Sequence, residues 1–330
     1  MNTTVRVFWI CACGLVCSIL VGIANSPAQA AAAKRPSVKI IYSALTASNA
    51  PVWIGGDQNL YEKHGLDVQV VHGRGASPIQ ALASGTVELG HFAGASVVAA
   101  NLGGSDLVFV AAQSNYVVLS MWTKKDSSIK ALADLAGKTI GVSAPGSATH
   151  TIARLSLRKA GVADKDVKFV HHGALPEIFV SLDKGLIDVG LASAPRPGFR
   201  ELADLATQKI PFLQGAIIVS RSYLQRERFT VLNFLKAFVE SMKIAREKPD
   251  MVIASLVKHL RIPADVAREA YRSFVNVWEE VPYVRTEAVQ AILDFLPKEQ
   301  VKDVTPERYI DNSLIKELET SGFIKSLYRR

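Results

Sequence analysis

Three blocks of this chain recur one hundred positions further on, and that spacing constrains the fold more than any other feature. Ile40, Ser43 and Ala44 return as Ile140, Ser143 and Ala144. His72-Gly73 returns as His172-Gly173, and Leu82, Gly85 and Gly90 return as Leu182, Gly185 and Gly190. One offset held through otherwise different sequence means two copies of one unit. Each copy alternates short apolar runs with helical stretches. The first has strands over 38–42, 66–71, 87–92 and 107–111; the second has them over 139–142, 167–171 and from 187. Such alternation specifies βαβ units in a mostly parallel sheet, whose ligands sit beyond the carboxyl ends of the strands. Two like lobes imply a cleft between them.

The second copy opens on a strand that runs through Pro145-Gly146 into a helix over 148–160, stopped by Gly161 and capped by Ser147. A small-residue turn at a helix N-terminus leaves several N–H groups unpaired at the positive end of the helix dipole, a seat for an anionic or strongly polar group. A further helix is expected near Pro195. Strand patterns at 117–122 and 216–219 place two crossings between lobes, near 113–118 and 211–217. One lobe then comprises residues 36–114 with 217–330, and the other 115–216. From Ser222 onward the periodicity is helical, with Pro249, Pro263, Pro282 and Pro306 as punctuation.

Residues 1–30 read as an export signal. Arg6 is the one charge before Lys34, residues 7–23 are apolar, and Ala28-Gln29-Ala30 offers a cleavage site after Ala30. Val16 stands where lipidation of Cys17 needs a small residue, and the apolar run is near the lower length for an uncleaved anchor. All three cysteines, Cys11, Cys13 and Cys17, fall in this leader, so the exported chain needs neither disulfide nor thiolate. The expected location is the periplasm. Of 38 Lys and Arg, all but Arg6 follow the leader, against 30 Asp and Glu, and the charges are interleaved. No basic stripe with aromatics marks a nucleic-acid face.

Reactive motifs are missing. Gly137-Lys138-Thr139 lacks the leading glycine of a phosphate loop, and no Gly-x-Ser-x-Gly elbow occurs. His171 and His172, neighbours on a strand, point to opposite faces and do not share a metal. No cofactor and no metal is expected, and the chain is not read as an enzyme. What remains are strand-end loops rich in small and hydroxyl residues, which allow close approach and orient a polar ligand. His172 faces the mouth of the cleft at a strand end, and Arg196 is a cation able to pair with a carboxylate or sulfonate.

Asn49-Ala-Pro51, Leu60-Tyr-Glu-Lys-His-Gly-Leu-Asp67, Leu132-Ala-Asp-Leu-Ala-Gly-Lys-Thr-Ile-Gly-Val142, Gly146-Ser-Ala-Thr-His150 and Leu157-Arg-Lys-Ala-Gly161 together resemble the periplasmic solute-binding proteins of ABC importers. The nearest branch carries nitrate, aliphatic sulfonates, taurine or the pyrimidine precursor of thiamine. The resemblance implies a two-lobe α/β fold of the type II class with a two-strand hinge. It implies capture of a small, anionic organic solute by a monomer, and delivery to a membrane permease and, through it, to an ATPase. By position it implies a pocket of Thr46, Asn49, Ala95, Ser96, Asn115, Gly146, Ser147 and Thr149. The cysteine-rich motif of related pyrimidine-handling enzymes is absent. A sensor that presents the solute to a signalling receptor is the alternative.

Overall fold

A computed structural model describes residues 35–43, 45–73, 77–173, 175–192 and 198–328. The leader, Ala44, Arg74 and Arg196 lie outside the described residues.

Among the described residues ten strands form two five-stranded sheets: β1 (Ser37–Tyr42), β2 (Asp67–His72), β3 (Leu89–Phe92), β4 (Leu107–Tyr116), β5 (Ser120–Lys124), β6 (Thr139–Val142), β7 (Lys168–His171), β8 (Val189–Ala192), β9 (Phe199–Asp204) and β10 (Pro211–Ser220). The first sheet runs β2-β1-β3-β10-β4 and the second β7-β6-β8-β5-β9. In each, the three strands of the repeated unit are parallel, and the two strands that cross between sheets pair antiparallel. Four of the five strands in each sheet thus run in one direction, and the fifth, β10 or β5, enters from the other sheet against them, so the sheets are mixed but mostly parallel in direction.

The repeat is physical. Glu88 accepts the Lys39 N–H at 2.7 Å, and one hundred positions on Asp188 accepts that of Thr139 at 2.8 Å. The recurring glycines have a packing reason. A Cβ on Gly90 would fall 2.8 Å from Leu82 Cδ2, and one on Gly190 would fall 2.8 Å from Ile178 Cγ2, so in both copies a helix rests directly on the strand. The His-Gly match, by contrast, is out of step. Tyr42 pairs with His72 while Val142 pairs with His171. His172 thus takes the place of Gly73, each donating its N–H at 2.9 Å to the carbonyl of residue 142 or 42. A slip of one residue turns the side chain to the other face of the sheet.

Between β4 and β5 the chain crosses at 117–119, and between β9 and β10 it returns at 205–210. The return falls earlier than the sequence suggests because residues 211–220 form one long strand. Residues 199–204, expected in a helix, are β9, paired along its length with β5. Tertiary pairing overrides a local pattern that is compatible with either state.

Helices cover both sheets. The Arg228–Glu247 helix buries Phe234, Leu235, Phe238 and Met242 over β1, β3 and the Ala50–Asp57 helix, with Trp53 in the same core. On the opposite face the Gly94–Leu102 and Ala148–Lys159 helices, one from each repeat, share an apolar cluster that includes Val97, Val98, Ile152 and Ala153. Among the described residues no helix is long and apolar enough to cross a membrane.

Candidate functional site

Strand direction decides at which end of each sheet the polar loops lie. β1, β3, β6 and β8 end at Tyr42, Phe92, Val142 and Ala192. β10 opposes β3 with Ala216 against Phe92, so Gln214 and Gly215 lie beyond the end of β3. Ser114 pairs with Gly215, and Ser120 with Ala192, so the crossing strands begin and end at the same level.

In the second sheet the helix start expected at Ser147 is present. Ser147 caps the Ala148–Lys159 helix, its Oγ accepting from the N–H of His150 and of Ala144, both at 3.3 Å. Ser143 Oγ donates to Ser147 Oγ at 2.9 Å, and Thr149 Oγ1 accepts the Ser143 N–H at 2.9 Å. His150 reaches back along the first turn, with Nδ1 accepting the Gly146 N–H at 2.9 Å. Burial and the nearby Arg154 cation hold its pKa below the ordinary histidine value. The N–H groups of Ala148 and Thr149, in the first helical turn, have no intrahelical acceptor. Ala144, Pro145 and Gly146 are exposed, Ser147 is half-buried and Thr149 is buried. His172 packs its Nδ1 at 3.3 Å from Ser181 Oγ, while its Nε2 is buried with no partner among the described residues.

In the first sheet the expected residues divide into exposed and enclosed. Thr46 and Ser48 share a hydroxyl hydrogen bond of 2.6 Å at the mouth of β1. Ser96 is exposed and donates to the Ala93 carbonyl at 2.9 Å, in the first turn of the Gly94–Leu102 helix; Ala95 is buried. A Cβ on Gly94 would fall 3.0 Å from Leu213 Cβ, so this helix tip rests directly on β10. Asn49 is 1% exposed and hydrogen-bonds His91. Asn115, also 1% exposed, donates to Glu279 and to the Tyr283 carbonyl and accepts the Arg285 N–H. Both amides are engaged by protein groups and hold the architecture behind the loops.

The structure thus brings Gly146, Ser147 and Thr149 into one hydrogen-bonded cluster and Thr46 and Asn49 into one turn. Three polar residues in the strands escaped the sequence reading: His91, Gln113 and Gln214. The last leaves a buried Oε1 without a partner among the described residues, at the same strand-end level. The available signal was a polar residue interrupting an otherwise apolar strand, as in Leu89-Gly-His-Phe92.

Beside the crossing segments lies a cavity of about 460 Å³, walled by Tyr116, Trp122 and Trp278 with Glu201, Asp204 and Lys209. None of the nine expected residues that lie within the described residues lines it. It draws on no helix N-terminus, and its Glu279 is already held by Asn115 and Arg285. Among the described residues no three of His, Cys, Asp and Glu cluster as a metal site requires.

Comparison with known proteins agrees with this architecture. A protein of Brachyspira hyodysenteriae assigned as an ABC transporter periplasmic binding protein is 26% identical over 270 residues, 74% of this chain and 75% of that protein. The periplasmic aliphatic sulphonate binding protein SsuA from Escherichia coli superposes with a TM-score of 0.64 at 21% identity, over 72% of this chain and 84% of its own. The periplasmic nitrate-binding protein NrtA from Synechocystis PCC 6803 superposes with a TM-score of 0.70 at 13% identity, over 87% and 89%. The family model described as NMT1/THI5 like matches residues 46–252, more than half of the sequence, so the chain belongs to the NMT1/THI5-like family and has the fold of periplasmic binding proteins.

Proposed function

We propose that this protein is the solute-binding component of an ABC importer, exported to the periplasm with its leader cleaved after Ala30. In this reading it takes a small anionic organic solute of the sulfonate, carboxylate or pyrimidine type between two lobes, residues 36–114 with 217–330 and residues 115–216. The observation that carries the reading is the Ser147-capped helix tip, set with exposed Ala144, Pro145 and Gly146 at the end of β6, in a chain whose duplicated units are joined by two crossings. Unpaired N–H groups at such a tip stabilise an anion without a fixed cation. Thr46, Ser96, Gly146, Ser147 and Thr149 orient the solute, Asn49 and Asn115 hold the loops that present them, and Arg196 supplies a cation. The binding protein names of the relatives support the same class. Bound as a monomer and released to a membrane permease with its ATPase, the solute is not transformed.

Thermal unfolding against a panel of sulfonates, carboxylates and pyrimidines tests this directly. A ligand at one hundred times its Kd stabilises the fold by about 2.7 kcal/mol. A flat response to every solute class sinks the proposal. Mass spectrometry of solute carried through native purification identifies the cargo.

A further inference from the structure

A buried polar chain runs behind the proposed solute loops. His91 lies in β3 at 4% exposure, with Asn49 Oδ1 2.7 Å from its Nδ1 and Gln113 Oε1 2.7 Å from its Nε2. A neutral imidazole donates from one nitrogen and accepts at the other, so two facing oxygens cannot both be satisfied. Burial pushes the His91 pKa down to about 4, and near neutral pH the ring carries one proton. One amide must therefore present its NH2 group to the ring. Asn49 is held as it stands, since its own Nδ2 donates to the Thr46 carbonyl at 3.4 Å. Gln113 is the partner that turns.

We infer that His91 is a positioning residue, tying crossing strand β4 to the Thr46–Asn49 turn through one directional chain: Gln113 Nε2–H to His91 Nε2, His91 Nδ1–H to Asn49 Oδ1, and Asn49 Nδ2–H to the Thr46 carbonyl. The second crossing strand meets the same ring. Gly215 of β10 sits at an irregularity in the β4 pairing, and a Cβ there would fall 3.2 Å from His91 Nε2. Gln113 is anchored in turn by its carbonyl, which accepts the Glu279 N–H at 2.9 Å. Any rotation of one sheet against the other passes through β4 and β10, and the chain delivers that displacement to the orientation of Asn49 and the turn it holds. That this turn faces the solute rests on the function proposed above; the chain itself does not.

Long-range proton–nitrogen spectra of the full, ligand-free chain with nitrogen-labelled histidine decide the first point. The expected result at pH 7 is a single tautomer of His91, protonated at Nδ1 and bare at Nε2. An Nε2–H tautomer, a rapidly exchanging mixture or an imidazolium overturns the inference. The coupling is read from the Asn49 side-chain NH2 resonance and the backbone amides of Thr46–Asn49. Gln113→Leu should shift them in the native background and in His91→Gln, which keeps a donor and an acceptor, but not in His91→Leu. Equal shifts in His91→Leu overturn it. Should His91→Leu fail to fold, the tautomer, measured without any variant, still decides. A parallel titration with ethanesulfonate separates the two proposals: silence there in the native protein counts against the solute class, and leaves the tautomer to judge the chain.

Discussion

Arg154, on a helix of the second sheet, lies with its guanidinium 4.8 Å from the centre of the Phe295 ring and donates to the Phe295 carbonyl at 3.3 Å. Phe295 follows the Thr286–Leu293 helix, which packs on β10 of the first sheet. Arg158 lies 4.4 Å from the same ring. One aromatic ring thus receives two cations from a helix of the other sheet, on the face where the Gly94–Leu102 and Ala148–Lys159 helices share an apolar cluster. A cation over an aromatic face is worth roughly 0.5–1 kcal/mol at exposed sites. Phe295→Ala should therefore lower unfolding free energy by about 1–2 kcal/mol, and by less in an Arg154→Ala, Arg158→Ala background. Equal losses in both backgrounds in a chemical-denaturation cycle would show that the ring acts by burial alone.

His91 predicts a pH window. Its ordinary value of 6.5 in the unfolded chain falls to about 4 when the ring is buried, so the folded state resists protonation. As pH drops, the unfolded chain binds this proton first, and stability is lost between about pH 6.5 and 4 by roughly 3 kcal/mol. Above pH 6.5 the contribution is fully present. Urea midpoints followed from pH 7 to pH 4 should decline, and His91→Gln should flatten the slope. An unchanged slope in that variant would assign the loss to other groups.

Ser147→Ala removes an N-cap whose oxygen accepts the His150 N–H and meets the Ser143 and Thr149 hydroxyls. A cap of this kind contributes about 1 kcal/mol. The variant should unfold at slightly lower denaturant and show a much reduced thermal response to the solute. Loss of stability with an undiminished response would place the solute elsewhere.

Gly190→Val should be costly without touching any polar group. Its new Cβ would meet Ile178 Cγ2 at 2.8 Å, and overpacking of this kind costs typically 1–3 kcal/mol. Gly56→Ala meets nothing within 4 Å and serves as the control in calorimetry.

Repetition made the architecture readable. Gly90 against Leu82 and Gly190 against Ile178 mark places where a helix lies directly on a strand in each copy, and the repeated glycines record that constraint in the sequence. Ser147 and Gly161 likewise announce both ends of one helix by local chemistry. β9 escaped because a six-residue stretch has no preference of its own until β5 lies beside it. The His72 and His172 match misled because identity in sequence says nothing of register, which hydrogen bonds along neighbouring strands decide. Asn49 and Asn115 look like ligand groups in a list of polar loop residues. Only the placement of His91 and of Glu279 reveals that their amides are already occupied.

The position of β10 between β3 and β4 also orders the chain in time. Strands β5 to β9 are contiguous, and their sheet can close as soon as residue 204 has joined it. The other sheet has a vacancy between β3 and β4 until residues 211–220 arrive, and the Arg228–Glu247 helix that covers it comes later still. Long-range pairing of this kind is slow, since loop closure must precede the contacts that reward it. The amino-terminal strands therefore remain unfinished until most of the polypeptide is present, and refolding should show the middle of the chain protected from hydrogen exchange before its beginning.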